Sequence, residues 1–573
     1  MATTATNRNS RSSVRGSSGT TPDRQDSASS QARGRKAKSI QKQVTEVPAW
    51  WAHLAVGLTI AFFGLIRIHL AGFPLERDEG EYAYAGQLIM RGIDPYRYCY
   101  SMKLPGTASA YALLMAVFGQ NAVGVHLGLL LVNSASCVLL YLLASRLFGR
   151  LAAVTATATF ALLSLQPVVL GFAGHATQFV VMPAIAGALL LLLGVESEKR
   201  WLLFCSGFCL GLSFLMKQPG ALFIVFAVFY LAYVEWTRGL DLLRSGTRLG
   251  LLLLGSAIPF AFVCLLYVAS GNFQRFWFWT FHYAREYEKL LPLWRGWENF
   301  RNTGSAVVSS GLLLWIFSAV GLIAVLWRPK LPSRSVFVVG FLVFSFAAVC
   351  PGFYFREHYF VLLLPAVALL SGVAVSQATA KLRDGKVSFL AAVPTIVFVI
   401  ALVITAAQDS DFFFAKDMDS ACHHLYGTNP FPEARKVSEF IRSRAQPSDE
   451  IAVIGSEPEL YFYSRLRSAT GFVYMYPLME HQPFAITMQH EMEREIQGAN
   501  PRFVVFVTEA ASWLRHDDSD PEIFDWSVKF VQDHYKPIGI VDLMGDDTEF
   551  HFDDDARNYQ PRSPSKILIY ERM

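Results

Sequence analysis

The sequence predicts a membrane protein, an all-α domain of about eleven transmembrane helices followed by a soluble α/β domain at the C-terminal end. Three observations predict it. Of the 573 residues, 53% are hydrophobic and only 17% charged, against about 25% charged in an ordinary soluble domain. Mean hydropathy is +0.32. The charge is also uneven, gathered at the two ends and in short loops between apolar runs. A net charge of +4 is too small to point to nucleic acid, and no nucleic-acid partner is expected.

Residues 1–46 are rich in Ser, Thr, Arg and Gly, with nine basic and three acidic residues. Such a segment buries too little apolar surface to fold, so a disordered basic cytoplasmic tail is expected. Apolar spans follow at 50–71, 124–146, 151–167, 176–195, 201–216, 219–235, 249–270, 306–327, 335–350, 358–376 and 387–407. Several fall short of the roughly 20 residues that cross a bilayer, as tilted or broken helices around a cavity would. With the N-terminus inside, alternate loops hold Arg146 and Arg150; Lys199 and Arg200; Arg238, Arg244 and Arg248; Arg328, Lys330 and Arg334; and Lys381, Arg383 and Lys386. Basic residues favour the cytoplasmic side, so all five loops orient the chain the same way. The transmembrane domain is then 47–408, and the segments 72–123, 271–305 and 409–573 lie outside.

Residues 409–573 read as a small α/β domain. Glu433 to Arg444 and Gln489 to Ile496 have helical periodicity, whereas Ile451-Ala-Val-Ile-Gly and Arg502-Phe-Val-Val-Phe-Val read as buried strands. Strand, helix, strand predicts a small parallel sheet. The domain is acidic, with 29 Asp and Glu against 16 Lys and Arg; seven of the acids fall between Asp542 and Asp555. That run matches no calcium loop and reads as a solvated surface. The seven cysteines have no metal-ligand spacing. Cys99, Cys350 and Cys422 fall near one side of the membrane, which leaves one disulfide open.

The chemistry is expected in the first outer loop. It runs Glu76-Arg-Asp-Glu-Gly-Glu-Tyr-Ala-Tyr-Ala-Gly-Gln, then Arg91-Gly-Ile-Asp-Pro-Tyr, then Met102-Lys-Leu-Pro-Gly. Four acids within six residues at a membrane surface repel one another and resist desolvation, so a basic group must approach or a proton must stay. Such an environment suits a general base. The same acids also suit the first turn of a helix starting near Glu79. Lys103 precedes the apolar stretch Thr107 to Phe118, too short to span and long enough to lie along the surface. At that depth the lysine is placed either to meet a lipid phosphate or simply to reach the interface.

The order Asp-Glu-x-x-Tyr-Ala, Gly and Pro-Tyr, Lys-x-Pro and a short amphipathic helix resembles the first periplasmic loop of the C-class glycosyltransferases. These are multi-spanning enzymes that use polyprenyl-phosphate sugars, and the similar members are bacterial relatives of protein O-mannosyltransferases and lipid A aminoarabinose transferases. The resemblance continues at Phe214-Leu-Met-Lys-Gln-Pro-Gly and at Arg356-Glu-His-Tyr-Phe-Val-Leu-Leu-Leu-Pro-Ala. It implies transfer of a sugar from a polyprenyl-phosphate donor to a lipid, glycan or protein acceptor at the outer face of a bacterial inner membrane. Asp78 matches the catalytic aspartate and Glu79 its neighbour. Lys103 is implied to touch the donor phosphate, with Tyr82, Arg356 and His358 as further substrate-binding candidates. Some relatives carry Glu before that lysine as a metal ligand; Met102 stands here, so no metal and no cofactor are expected. The competing reading is a transporter or flippase for lipid-linked sugar. Such a protein more often carries ionisable groups at mid-membrane and a repeat between its halves.

Overall fold

The structure, a computed structural model, describes residues 48–327, 332–383 and 388–573. The basic tail 1–46 and the loop residues Arg328, Lys330 and Lys386 lie outside the described residues. The first part of the chain folds into α1 (Ala49–His69), α2 (Arg77–Met90), α3 (Gly106–Phe118), α4 (Ala122–Phe148), α5 (Arg150–Leu163), α6 (Ala176–Ser197) and α7 (Arg200–Met216). It continues through α8 (Ala221–Thr237), α9 (Leu242–Ala269), α10 (Leu293–Ser310), α11 (Leu312–Leu326), α12 (Ser333–Val349), α13 (Leu364–Arg383) and α14 (Val393–Gln408).

Each expected apolar span falls on a helix, yet among the described residues six are long and apolar enough to cross a membrane. They are Ala49–Gly72, Ala122–Phe148, Ala176–Ser197, Gln218–Thr237, Leu242–Ala269 and Phe389–Gln408. Of the others, α5, α7 and α12 have 14, 17 and 17 residues. At 1.5 Å per residue they reach at most about 25 Å, short of a hydrocarbon core of about 30 Å. The expected span 306–327 is a pair bent by 98°, with α10 running into α11 at Gly311. Counting it as one span gives seven. The bend has a compositional reason. The α10 half carries Arg295, Glu298 and Arg301, with Trp294 and Trp297 exposed, and suits an interface better than hydrocarbon.

The C-terminal part contains α15 (Glu433–Arg444), β1 (Glu450–Ile454), α16 (Pro458–Ser464), β2 (Arg467–Ser468), α17 (Ala485–Ala499) and β3 (Phe503–Val507). It ends with α18 (Glu522–His534), β4 (Tyr535–Asp542), β5 (Glu549–Phe552) and β6 (Lys566–Arg572). The six strands form one sheet ordered β2-β1-β3-β6-β4-β5. The expected parallel arrangement holds for β2, β1 and β3, while β6, β4 and β5 are joined antiparallel, so the sheet is mixed. The antiparallel half was hidden because its strands interleave with the acidic run. Asp542, the first of those acids, is buried. It accepts hydrogen bonds from the Tyr559 hydroxyl at 2.7 Å and from the backbone N–H of Arg562 and Ser563 at 2.7 and 3.0 Å. All seven cysteines are free thiols.

Ala49–Met573 is a single compact unit. The α/β part packs on α2, and one buried cluster joins Tyr84 and Leu88 of α2 to Tyr461 of α16 and to the strands.

Candidate functional site

The acidic loop opens with a capped helix. Glu76 is the N-cap of α2, its carboxylate accepting from the Glu79 backbone N–H at 2.9 Å. Asp78 and Glu79 lie in the first turn, where negative charge is favourable. A helix turns 100° per residue, so successive residues must point in different directions while residues three apart share a face. Arg77 and Gly80 face the α/β domain, Asp78 and Glu81 face Lys103, and Glu79 faces the helical core. Glu79 is fully buried, 3.1 Å from His126 Nε2 and accepting from the Gly174 backbone N–H at 2.6 Å. Sequence reading pairs Glu79 with Asp78; the structure separates them, because only Asp78 opens into the cavity described below.

Lys103 is held by its own backbone. Its carbonyl accepts from the Tyr96 hydroxyl at 2.7 Å, and its N–H donates to Ser101 Oγ at 3.1 Å. Its ammonium donates to Asp78 Oδ1 at 2.7 Å and to Glu81 Oε2 at 2.5 Å. It lies 4.6 Å from the centre of the Tyr82 ring and 5.3 Å from that of Tyr474. The Tyr474 hydroxyl donates to the same Asp78 Oδ1 at 2.9 Å. On the other side His175 Nδ1 stands 3.5 Å from Asp78 Oδ2 and 3.7 Å from Glu76 Oε1. The His175 ring stacks on His358 with centroids 4.0 Å apart.

Asp78, Glu81, Lys103, Tyr474 and His358 line one cavity of about 1310 Å³, walled also by Lys217, Trp279, Tyr354, Arg356, Tyr359, Tyr476 and Glu480 among others, while His175 and Glu76 are buried beside Asp78. Its charges follow from its surroundings. Burial pushes the Asp78 carboxyl up, but the Lys103 ammonium and His175 outweigh it and hold the acid well below its usual value. Burial raises Glu76 to about 7. Lys217, half-buried with its ammonium 3.9 Å from the centre of the Tyr359 ring, is brought down to about 7 by desolvation. Arg356 is exposed to the cavity. The result is an Asp78 carboxylate ion-paired to Lys103 in a cavity that Lys217 and Arg356 also line, a place for an anion beside a base. Asp78, His175 and His358 also each offer one ligand atom within 4.8 Å of the others, a donor set that fits a divalent ion.

Of the residues expected from sequence, Asp78, Lys103, Arg356 and His358 line this cavity, and Tyr82 lies buried under Lys103. Sequence reading missed Glu81, His175, Lys217 and Tyr474 as site residues. Lys217 had a signal: it is a lysine in a two-residue break between two apolar spans, inside the stretch Phe214-Leu-Met-Lys-Gln-Pro-Gly. His175 and Tyr474 carry no such mark, since only folding brings them to a loop some 100 and 400 residues away.

Residues 103–265 match the sequence family described as dolichyl-phosphate-mannose-protein mannosyltransferase. The match begins at Lys103, just after the acidic loop. No curated protein matches the chain in sequence. Among solved structures the chain is similar to ArnT from Cupriavidus metallidurans bound to undecaprenyl phosphate, with a TM-score of 0.56 and 14% identity over 91% of this chain and 98% of that one. The apo form of that protein gives the same score and identity over 90% and 97%. AglB from Archaeoglobus fulgidus, in complex with an inhibitory peptide and a dolichol-phosphate, gives a TM-score of 0.51 and 12% identity over 90% and 76%. In fold over about nine-tenths of its length the chain resembles ArnT, and in sequence over residues 103–265 it resembles the dolichyl-phosphate-mannose-protein mannosyltransferases.

Proposed function

We propose that this protein is a membrane glycosyltransferase that moves a sugar from a polyprenyl-phosphate donor to an acceptor hydroxyl at the outer face of the membrane. The observation that carries the reading is the ion pair of Asp78 with Lys103 in a cavity that Lys217 and Arg356 also line. The fold shared with a protein bound to undecaprenyl phosphate supports it. The eleven-span topology, with the N-terminus inside and residues 409–573 outside, belongs to the same reading.

In this mechanism the acceptor oxygen attacks the anomeric carbon. Its proton passes to Asp78, and the bond from that carbon to the phosphate oxygen breaks, leaving the electron pair on the lipid phosphate. Lys217 and Arg356 balance the phosphate charge. Lys103 exchanges part of its hold on Asp78 for the phosphate, which raises the basicity of the carboxylate only when donor is present. Tyr82 shapes the floor beneath Lys103, and His358 borders the phosphate. Glu79 holds the helix from behind, through His126 and Gly174. Charge balance comes from side chains, so the step uses no cofactor.

Purified protein in proteoliposomes, given a panel of undecaprenyl-phosphate hexoses and pentoses with lipid, glycan and peptide acceptors, should release undecaprenyl phosphate with at least one pair. Movement of the intact donor across the bilayer without release of phosphate would replace this reading with transport.

A further inference from the structure

The α/β domain does more than sit beside the cavity. It grips α2 along its length. The Arg77 guanidinium donates to the Ser456 carbonyl at 2.5 Å, to Asn429 Oδ1 at 3.0 Å and to Glu457 Oε1 at 3.1 Å. It lies 5.4 Å from the centre of the Phe431 ring and 5.8 Å from that of Tyr476. Glu457 is itself held, its second oxygen accepting from Ser512 at 2.9 Å. Further along, the Ser468 backbone N–H donates to the Tyr84 hydroxyl at 2.9 Å and Gln87 donates to the Phe462 carbonyl at 3.1 Å. The two surfaces touch closely: a Cβ added at Gly80 would lie 2.6 Å from the Glu459 backbone nitrogen. Open α/β sheets usually bind ligands at the carboxyl ends of their parallel strands. Here the segment that follows β1, Ser456 and Glu457, is occupied by an arginine from the adjacent loop.

Arg77 is the residue before Asp78, so this clamp fixes the turn that carries the acid. The same domain then reaches the acid directly. Tyr474 and Lys103 both donate to Oδ1, while Oδ2 faces His175 Nδ1, an atom with no hydrogen-bond partner among the described residues. Two donors on one oxygen fix the orientation of the carboxylate.

We propose that the α/β domain is a working part of the reaction centre, with Tyr474 as a positioning residue that sets the Asp78 carboxylate and with the Ser456, Glu457 and Asn429 clamp on Arg77 holding the turn beneath it. The proposal rests on Asp78 being the base. It gives a role to residues 409–573, which lie beyond the segment matched in sequence.

The test is a double-mutant cycle in the full-length protein, using the donor that the parent turns over and undecaprenyl phosphate as the binding probe. Tyr474→Phe is expected to lower kcat about tenfold while changing undecaprenyl phosphate binding less than about twofold, and on an Asp78→Asn background it should cost less than about twofold. Glu457→Gln, which keeps the shape of the clamp and removes its charge, should lower kcat in the same way. Losses from Tyr474→Phe and Asp78→Asn that simply multiply would overturn the proposal, because the tyrosine would then act independently of the acid. A Tyr474→Phe protein with parental kcat would overturn it as well. Should the residual rate of Asp78→Asn be too small for the cycle, the split between kcat and binding in Tyr474→Phe decides. If Asp78→Asn itself transfers at the parental rate, the base assignment fails first and takes the proposal with it; loss in Asp78→Asn alone removes only the proposal.

Discussion

The two walls of the cavity are built in opposite ways. One wall comes from a single stretch of chain: Asp78, Glu81 and Lys103 lie within 26 residues, and their ion pairs close at 2.7 and 2.5 Å. The other is assembled from separate segments, with Lys217 after α7, Arg356 and His358 before α13, and Tyr474 and Glu480 in the α/β domain. The contrast teaches where chemistry and control lie. The local wall holds the acid and the lysine that masks it, whereas the assembled wall holds Lys217 and Arg356, which make no ion pair among the described residues, and the tyrosine that donates to the acid. A base held well below its usual value by an adjacent lysine is weak until that lysine is drawn elsewhere. Masking is local, and its release depends on the distant wall.

Breaking the local wall should have the largest effect. Asp78→Asn keeps size but cannot accept a proton, so turnover should fall by at least about 100-fold, with undecaprenyl phosphate binding little changed. Single-turnover transfer checks this, and a parental rate would remove the base from the local wall. Lys103→Ala should differ by weakening undecaprenyl phosphate binding as well, because the phosphate charge is present before and during reaction.

Prising the walls apart comes next. Gly80→Ala places a methyl group where the Glu459 backbone already stands. Overpacking of this kind costs about 1–3 kcal/mol, read as a lower Tm in detergent, and should lower kcat by shifting the turn that carries Asp78. A variant with parental Tm and kcat would make the distant wall passive.

The pH dependence of binding sharpens the comparison. With Lys217 near 7 in the free protein, it is cationic below that pH and neutral above it. Undecaprenyl phosphate should therefore bind up to about tenfold more weakly as pH rises from 6 to 8, since an anion favours the protonated lysine. Lys217→Arg, which stays charged, should flatten that dependence; a binding curve equally steep in the variant would place the titrating group elsewhere. The smallest effect is expected from chelation: EDTA should leave turnover unchanged, because cationic side chains balance the charge. A loss restored by a divalent ion would instead assign Asp78, His175 and His358 as its ligands.

Legibility varied with the range of the interaction. The strands Glu450–Ile454 and Phe503–Val507 and the helix Glu433–Arg444 were readable because each is a local apolar pattern with one period. The six-strand order was not, since β6 enters between β3 and β4 from the far end of the chain. The eleven apolar runs were readable as helices, but composition counts residues and not direction. The right-angle bend at Gly311 and the short α5, α7 and α12 appear only when neighbouring helices are in place.

At the site the same division holds. Four acids in six residues, and a lysine 25 residues after Asp78, were legible as charges that had to be reconciled, because like charges at a membrane surface cannot remain unpaired. The sequence by itself therefore determined that this is a multi-helix membrane protein, with one acidic loop after its first helix and an α/β region after its last apolar run. Which acid opens to the cavity and which turns inward was decided by the helical phase of α2 against its neighbours. That phase is set by Arg77 in its clamp, Gly80 against Glu459 and Glu79 against His126. These partners stand some 50 to 400 residues away, and no local pattern carries the cost of closing so long a loop or the contacts that repay it.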